Sequence, residues 1–370
     1  MSLHRKFIVF INGLLAAACV STPSFAQNQA DLPPAVDKFI AQMVEKNHFE
    51  PVYLRSLFDQ IHMDPEVTAK MDKPYESKPW TVYRNFFLTQ DRIDSGVRYW
   101  HDHEKELARA EKIYGVPANV IVAIIGVESK FGTEPMKFQT FQTLATFAFN
   151  YPKRAPFFTS ELENFLLMAR EQKFNPLEIK GSYAGAMGIP QFMPSSYRHY
   201  AVNFAGGKKA DILNNHADAI SSIGNYLKRN GWVANQPVAI PVVANASALK
   251  NLKQEPLIAG YSLKELRQRG ISWPDKMPLD AKASFFTVEF EDTIQPWVGL
   301  NNFIAISRYN HNMQYVLAVH ELSQAIKIQR VAALREELQR QRTTATAEDK
   351  DNYYARYLGE AELMADSPTD

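Results

Sequence analysis

The sequence predicts a mainly α-helical protein with a small α+β insertion, and three observations carry that reading. Apolar residues recur at helical spacing over most of the stretch from residue 35 to residue 342, clusters of Pro, Gly and Asn separate these runs, and the character changes after Trp232. With 370 residues, 46% hydrophobic and 22% charged, the chain can enclose a sizeable core of ordinary globular composition.

In chain order, residues 35–60 and 95–115 show helical periodicity. Gly115-Val116-Pro117 then breaks the chain, and Pro117 is suited to open the next helix as an early helical residue. That helix is apolar on all sides and should lie deep in the core. Helical patterns resume near 135–150, 158–172, 194–204 and 217–230. The runs PVAIPVVA at 237–244 and ASFFTVEF at 283–290 are β-branched and aromatic, and flank a polar helix-like stretch, YSLKELRQRG at 261–270. Helix returns at 299–342, and a charged, polar tail follows from about Thr343 to Asp370. No internal repeat is visible.

The N-terminus has the pattern of a secretory signal. His4, Arg5 and Lys6 precede an apolar stretch from Phe7 to Val20, too short to span a bilayer comfortably, and Ser24-Phe25-Ala26 offers a small-residue cleavage site. The expected product begins at Gln27 and is periplasmic. The single cysteine, Cys19, ends LLAAAC, so an outer-membrane lipoprotein held through Cys19 is the alternative. Cleavage at Ala26 leaves no cysteine, and hence no thiolate nucleophile, disulfide or cysteine metal site. A formal net charge of +1 and the lack of a basic cluster interleaved with aromatics argue against nucleic-acid binding.

Two segments point to chemistry. VIVAIIGVESKFG at 120–132 places Glu128 at the end of an apolar run, a setting that disfavours an ionised carboxylate and suits a general acid. A helix-terminal Glu facing solvent is the ordinary alternative. GSYAGAMGIPQFMPSSY at 181–197 sets Ser182, Tyr183 and Gln191 among the small residues Gly181, Ala184, Gly185 and Gly188, so backbone can approach a bulky ligand while a few polar groups face it.

Together these segments resemble the lytic murein transglycosylase B family, glycoside hydrolase family 103. The resemblance runs from about Pro34 through WTVYRNFF at 80–87, TLATFAFNYPKRAPFF at 143–158 and NYLKRNGW at 225–232 to FIAISRYNHNMQYVLAV at 303–319. It implies a lysozyme-like helical core at about 115–232, the small α+β insertion at about 233–298 and closing helices at 299–342. The implied activity is cleavage of the β-1,4 bond between N-acetylmuramic acid and N-acetylglucosamine in peptidoglycan glycan strands, leaving 1,6-anhydro ends. By the same resemblance Glu128 serves as the single acid and base. The substrate's 2-acetamido group then takes the place of the second carboxylate that most glycosidases use. Ser182 and Gln191 contact the sugar, while Tyr151, Tyr226, Tyr309, Asn310 and Tyr315 line the cleft. No cofactor is implied.

Glu134, between Gly132 and Pro135, fits a loop acid better than a second catalytic carboxylate. His101 and His103 stand two apart, which does not share a helical face, so WHDHEKE is a solvated charged face and not a metal site. Some relatives carry a calcium loop where this chain has NFAGGKKADILNN at 203–215; Lys208 and Lys209 in its middle make it a structural loop. A hydrolytic muramidase or a non-catalytic peptidoglycan-binding protein remain as alternatives, and retained Glu128, Ser182 and Gln191 disfavour the second.

Overall fold

The structure is a computed structural model, and it describes residues 32–71, 78–274, 276–291 and 293–344. The expected signal segment, Cys19 and all but the start of the polar tail lie outside the described residues.

Six helices come first: α1 (Pro34–Asn47), α2 (Pro51–Phe58), α3 (Pro65–Met71), α4 (Trp80–Phe87), α5 (Gln90–Asp102) and α6 (Glu104–Tyr114). The two helical stretches read at 35–60 and 95–115 are therefore each two helices. His48 sits at φ 55° and ends α1, and Pro51 opens α2. Then comes α7 (Ala118–Ser129), in which every residue from Ala118 to Gly126 is buried. Pro117 stands just outside this helix, at its N-cap with ψ 142°, and not within it. It has no cap side chain of its own; the Glu111 carboxylate of α6 accepts the Ala118 N–H at 3.1 Å instead. Each buried Ile or Val of this helix contributes on the order of 1.5–3 kcal/mol.

A two-residue strand, β1 (Phe138–Gln139), leads into α8 (Thr140–Asn150) and α9 (Ala155–Gln172). β2 (Lys180–Gly181) pairs antiparallel with β1, matching Phe138 to Gly181. The chain continues through α10 (Pro194–Tyr200) and α11 (His216–Arg229). Pro194 opens α10, and the buried Glu161 of α9 accepts both the Ser195 N–H at 2.9 Å and its hydroxyl at 2.7 Å.

The insertion contains β3 (Ala239–Pro241), β4 (Val243–Ala244), α12 (Ala246–Asn251), β5 (Tyr261–Ser262), α13 (Leu263–Gln268), β6 (Ile271–Ser272), β7 (Lys282–Glu289) and β8 (Ile294–Gly299). Its main sheet has the order β3-β8-β7-β5, and β4 pairs with β6 separately. Ala283, Phe285 and Val298 join a cluster with Leu263, Leu266 and Ile271, whereas Phe286, Val288 and Trp297 belong to the main helical core. One sheet thus serves two cores from opposite faces. The chain returns through α14 (Asn301–Ser307), where the buried Asn302 accepts the Val233 N–H at 2.7 Å and donates to the Val233 and Gln236 carbonyls at 2.9 and 2.6 Å. The long α15 (Met313–Thr344) packs against α7, α5 and α4.

Candidate active site

The C-terminal end of α7 is held by its own sequence. After Ser129 the chain adopts three successive left-handed residues, Lys130 (φ 47°), Phe131 (φ 63°) and Gly132 (φ 80°), and the Phe131 N–H closes back on the Ile125 carbonyl at 3.2 Å. The Phe131 ring folds onto Gly126, where a Cβ would meet it at 2.7 Å, so the helix needs glycine there. Ser129 is buried, and its Oγ donates to the Ile189 carbonyl at 2.7 Å and accepts the Gly132 N–H at 3.0 Å. That residue, not singled out in the sequence, ties the end of the Glu128 helix to the 181–193 loop.

Glu128 is half-buried, and the Tyr315 hydroxyl donates to its Oε1 at 2.5 Å. Tyr315 lies in the first turn of α15, whose start is fixed by Asn312 Oδ1 accepting the Gln314 and Tyr315 N–H groups at 2.7 and 3.3 Å. Its ring is parallel to that of Tyr309, with centroids 6.4 Å apart. Tyr309 lies 4.8 Å from Tyr226, and both rings meet Phe192. Tyr309 donates to the Pro190 carbonyl, and Tyr226 to that of Arg308. Burial first and the Glu128 charge second push the Tyr309 and Tyr315 phenols well above their ordinary range. Tyr226 is pushed up as well, by burial first, then by Tyr200, with Glu128 a smaller contributor. Tyr315 therefore remains a hydrogen-bond donor to the carboxylate at any working pH.

The 181–193 loop supplies the remaining polar groups. Gly188 has φ 71°, and a Cβ there would strike the Ile212 carbonyl at 2.4 Å. Gln191 is non-glycine at φ 50°, and its Nε2 donates to the Gly188 carbonyl at 2.8 Å and lies 3.2 Å from Met136 Sδ. Ser182 Oγ accepts the Ala184 and Ala186 N–H groups at 3.2 and 3.1 Å. Those bonds leave the Ser182 hydroxyl proton and the Gln191 Oε1 for a ligand. Asn310, half-buried, follows Tyr309, and its backbone carbonyl accepts the Asn312 N–H at 2.8 Å. Tyr151 is at the end of α8, buried, with its ring against Phe147 at 5.6 Å and the Lys153 ammonium 5.7 Å from its centroid. Glu128, Tyr315, Tyr309 and Tyr226 are thus joined through successive contacts into one group, with Gln191 in the chain between Pro190 and Phe192.

Glu134 is an exposed acid ion-paired with Lys130 at 2.7 Å, and that lysine is the main cause of its lowered pKa. Among the described residues no group of three or more His, Cys, Asp or Glu side chains could hold a metal ion. Around the 203–215 loop several side-chain oxygens bond to backbone. Asp218 accepts the Phe204 and Asp211 N–H groups, each at 2.8 Å, Asp211 Oδ1 accepts those of Leu213 and Asn214, each at 3.0 Å, and Asn203 Oδ1 accepts that of Gly207 at 2.9 Å. Lys209 donates to the Gln172 carbonyl at 2.9 Å. These side-chain oxygens hold the loop's own backbone, and Lys208 and Lys209 stand among them, whereas calcium takes about six to eight oxygen ligands.

Comparison with known proteins gives a consistent answer. The family model described as the transglycosylase SLT domain matches residues 31–324. The chain is 40% identical over 308 residues to membrane-bound lytic murein transglycosylase B of Escherichia coli (strain K12), covering 80% of this chain and 84% of that protein. The crystal structure of catenated lytic transglycosylase SltB1 from Pseudomonas aeruginosa superimposes with a TM-score of 0.77 at 41% identity, over 81% of this chain and 99% of that one. That of SltB3 from the same organism, in complex with NAG-anhNAM-pentapeptide, gives 0.68 at 29% identity, over 79% and 78%. On the breadth of that match, a lysozyme-like helical fold included, the chain belongs to the transglycosylase SLT domain family.

Proposed function

We propose that this protein is a peptidoglycan lytic transglycosylase in which Glu128 is the single acid and base. Family membership supports the activity, and the 2.5 Å bond from Tyr315 to Glu128 Oε1 is the observation that carries the assignment. A tyrosine whose phenol is held well above its ordinary range donates to one carboxyl oxygen and so orients the group that moves the proton. In the forward step the protonated Glu128 gives its proton to the glycosidic oxygen, the C1–O bond of N-acetylmuramic acid breaks, and the 2-acetamido oxygen bonds to C1. The carboxylate then takes the proton of the C6 hydroxyl, whose oxygen displaces the acetamido oxygen from C1. The product is a 1,6-anhydro end, no water is consumed, and Glu128 regains its proton. Ser182 as donor and Gln191 as acceptor hold the acetamido group or the sugar beside it, and Tyr226, Tyr309, Asn310 and Tyr315 form the wall of the cleft. Tyr151 is assigned to that wall as part of the same proposal, on the family resemblance.

The setting is the cell envelope, where murein-acting relatives work. We place the mature protein in the periplasm, beginning near Gln27, with outer-membrane attachment through Cys19 as the alternative; intact-mass measurement separates the two. Mass analysis of sacculi digested with the protein tests the chemistry. Anhydro muropeptides, lighter by one water than the reducing products of a hydrolase, are the expected result, and reducing ends alone would overturn the reading.

A further inference from the structure

A cavity of about 520 Å³ opens between α5, the first residue of α11 and the left-handed residues that follow α7, and neither Glu128 nor the group of Tyr226, Tyr309 and Tyr315 lines it. Its wall carries Arg92, Arg98 and Lys130, with Asp91 and Asp102 also present. His103 and His216 stack there with ring centroids 4.8 Å apart, and the Tyr99 hydroxyl lies 3.0 Å from His216 Nδ1.

Two of the three cations are committed, Lys130 to Glu134 at 2.7 Å and Arg98 to Ser95 at 2.8 Å. Arg92 is not. It is only 8% exposed, its Nη1 has no hydrogen-bond partner, and its guanidinium lies between 5.0 and 5.5 Å from the Phe87 and Phe86 ring centroids. The carboxylates of Glu134 and Asp91 act on it from a distance only. Nη1 is itself closed to solvent, so an anion in the cavity would meet the guanidinium on its other donors, and carboxylate is the anion whose geometry matches that fork. α5 also begins in this wall, after the Thr89 cap, so the positive end of the helix favours the same charge.

We propose that this cavity is a second ligand site that takes a peptide carboxylate on Arg92, with the Tyr99 and Phe131 rings against the peptide's apolar part. Resting on the function proposed above, the peptide is the stem borne by muramic acid, either still on the strand or already released. Lys130 and Thr133 of the cavity follow Glu128 by two and five residues, so an occupied cavity bears on the segment that ends the Glu128 helix.

The test measures binding, not turnover, so it stands or falls apart from the transglycosylase assignment. Full-length Glu128→Gln protein is titrated by calorimetry with the stem pentapeptide bearing free carboxylates, the same peptide fully amidated, strand-linked pentapeptide, and a peptide-free N-acetylglucosamine tetramer. The free-acid peptide should bind at least tenfold more tightly than the amidated one. Arg92→Gln should weaken it tenfold or more and Arg98→Gln, at an exposed position, severalfold, with tetramer binding unchanged. Tight binding only when strand-linked identifies the uncut strand as the source, and equal binding of the free peptide identifies the released one. If Arg92→Gln also loses the tetramer, Arg92→Lys, which keeps the charge over the rings but not the fork, replaces it and should still lose the peptide. Equal affinity for acid and amide, or no loss in the Arg92 variants, would show that Arg92 serves ring packing only.

Discussion

The 181–193 loop and the 203–215 loop, the latter with the first turn of α11, are built from similar residues and end differently. Both contain glycines, short polar side chains and side-chain bonds to backbone N–H groups. In the first, the Ser182 hydroxyl and Gln191 amide bond to the loop and still keep one donor and one acceptor in reserve. In the second, Asp218, Asp211 and Asn203 accept five backbone N–H groups between them, and Lys209 anchors the loop to the end of α9. Composition does not separate a binding loop from a scaffold; the number of polar groups left over after the loop has satisfied itself does.

The largest effect should fall on the one carboxyl beside the first loop. Glu128→Gln keeps the shape but not the transferable proton, and release of muropeptides should drop on the order of a hundredfold or more while sugar binding persists. Near-normal release would sink the assignment. Tyr315→Phe removes only the bond to Oε1; a hydrogen bond to a charged group is worth about 1.5–3 kcal/mol, so kcat should fall roughly tenfold or more with KM little changed. A change confined to KM would make Tyr315 a sugar platform instead.

On the other loop the readout should be stability. Asp218→Asn keeps one acceptor oxygen but sets an NH2 donor against the N–H of either Phe204 or Asp211, and should cost about 1–3 kcal/mol in denaturant titrations, with kcat of the folded fraction retained. A smaller acid sensitivity is expected from His320, whose ring Nδ1 is enclosed without a partner and whose pKa burial lowers to about 4. The unfolded chain binds that proton more readily, so its contribution is complete above about pH 6.5 and fades as pH falls toward 4. Thermal melts of His320→Leu should be flatter over that window than those of the parent; matching slopes would remove His320 from the account. The smallest expected effect is none: calcium or a chelator should leave Tm unchanged, since a ligand binding only the native state must raise it. A calcium-dependent rise would mean that the 203–215 loop opens to an ion.

Much of this was legible in the chain. The apolar run at 120–127 announced a central helix, and its position put Glu128 at a helix end. The role of Tyr315 was not readable locally, because its partner lies 187 residues away. Ser129 was hidden for a similar reason: its target, the Ile189 carbonyl, is backbone and leaves no side-chain signature. β8 escaped because Pro296 interrupts its pattern, and proline is ordinarily kept from central strands, yet β8 lies between β3 and β7. The unfilled donor of Arg92 is a property of packing, and no spacing rule reports it.

The hairpin β7–β8 has a mechanical consequence. Phe285 pairs with Val298 toward one core and Phe286 with Trp297 toward the other, so neighbouring residues on each strand belong to different hydrophobic bodies. A single-residue deletion within either strand would exchange the two sets and misfit both sides at once. Opening the insertion also uncovers Phe286 and Trp297 on the helical body, so the two cannot come apart independently. Hydrogen exchange should find the β7–β8 amides protected to the same free energy as α7, with the helix bearing Glu128 and the sheet beyond it unfolding as one cooperative unit.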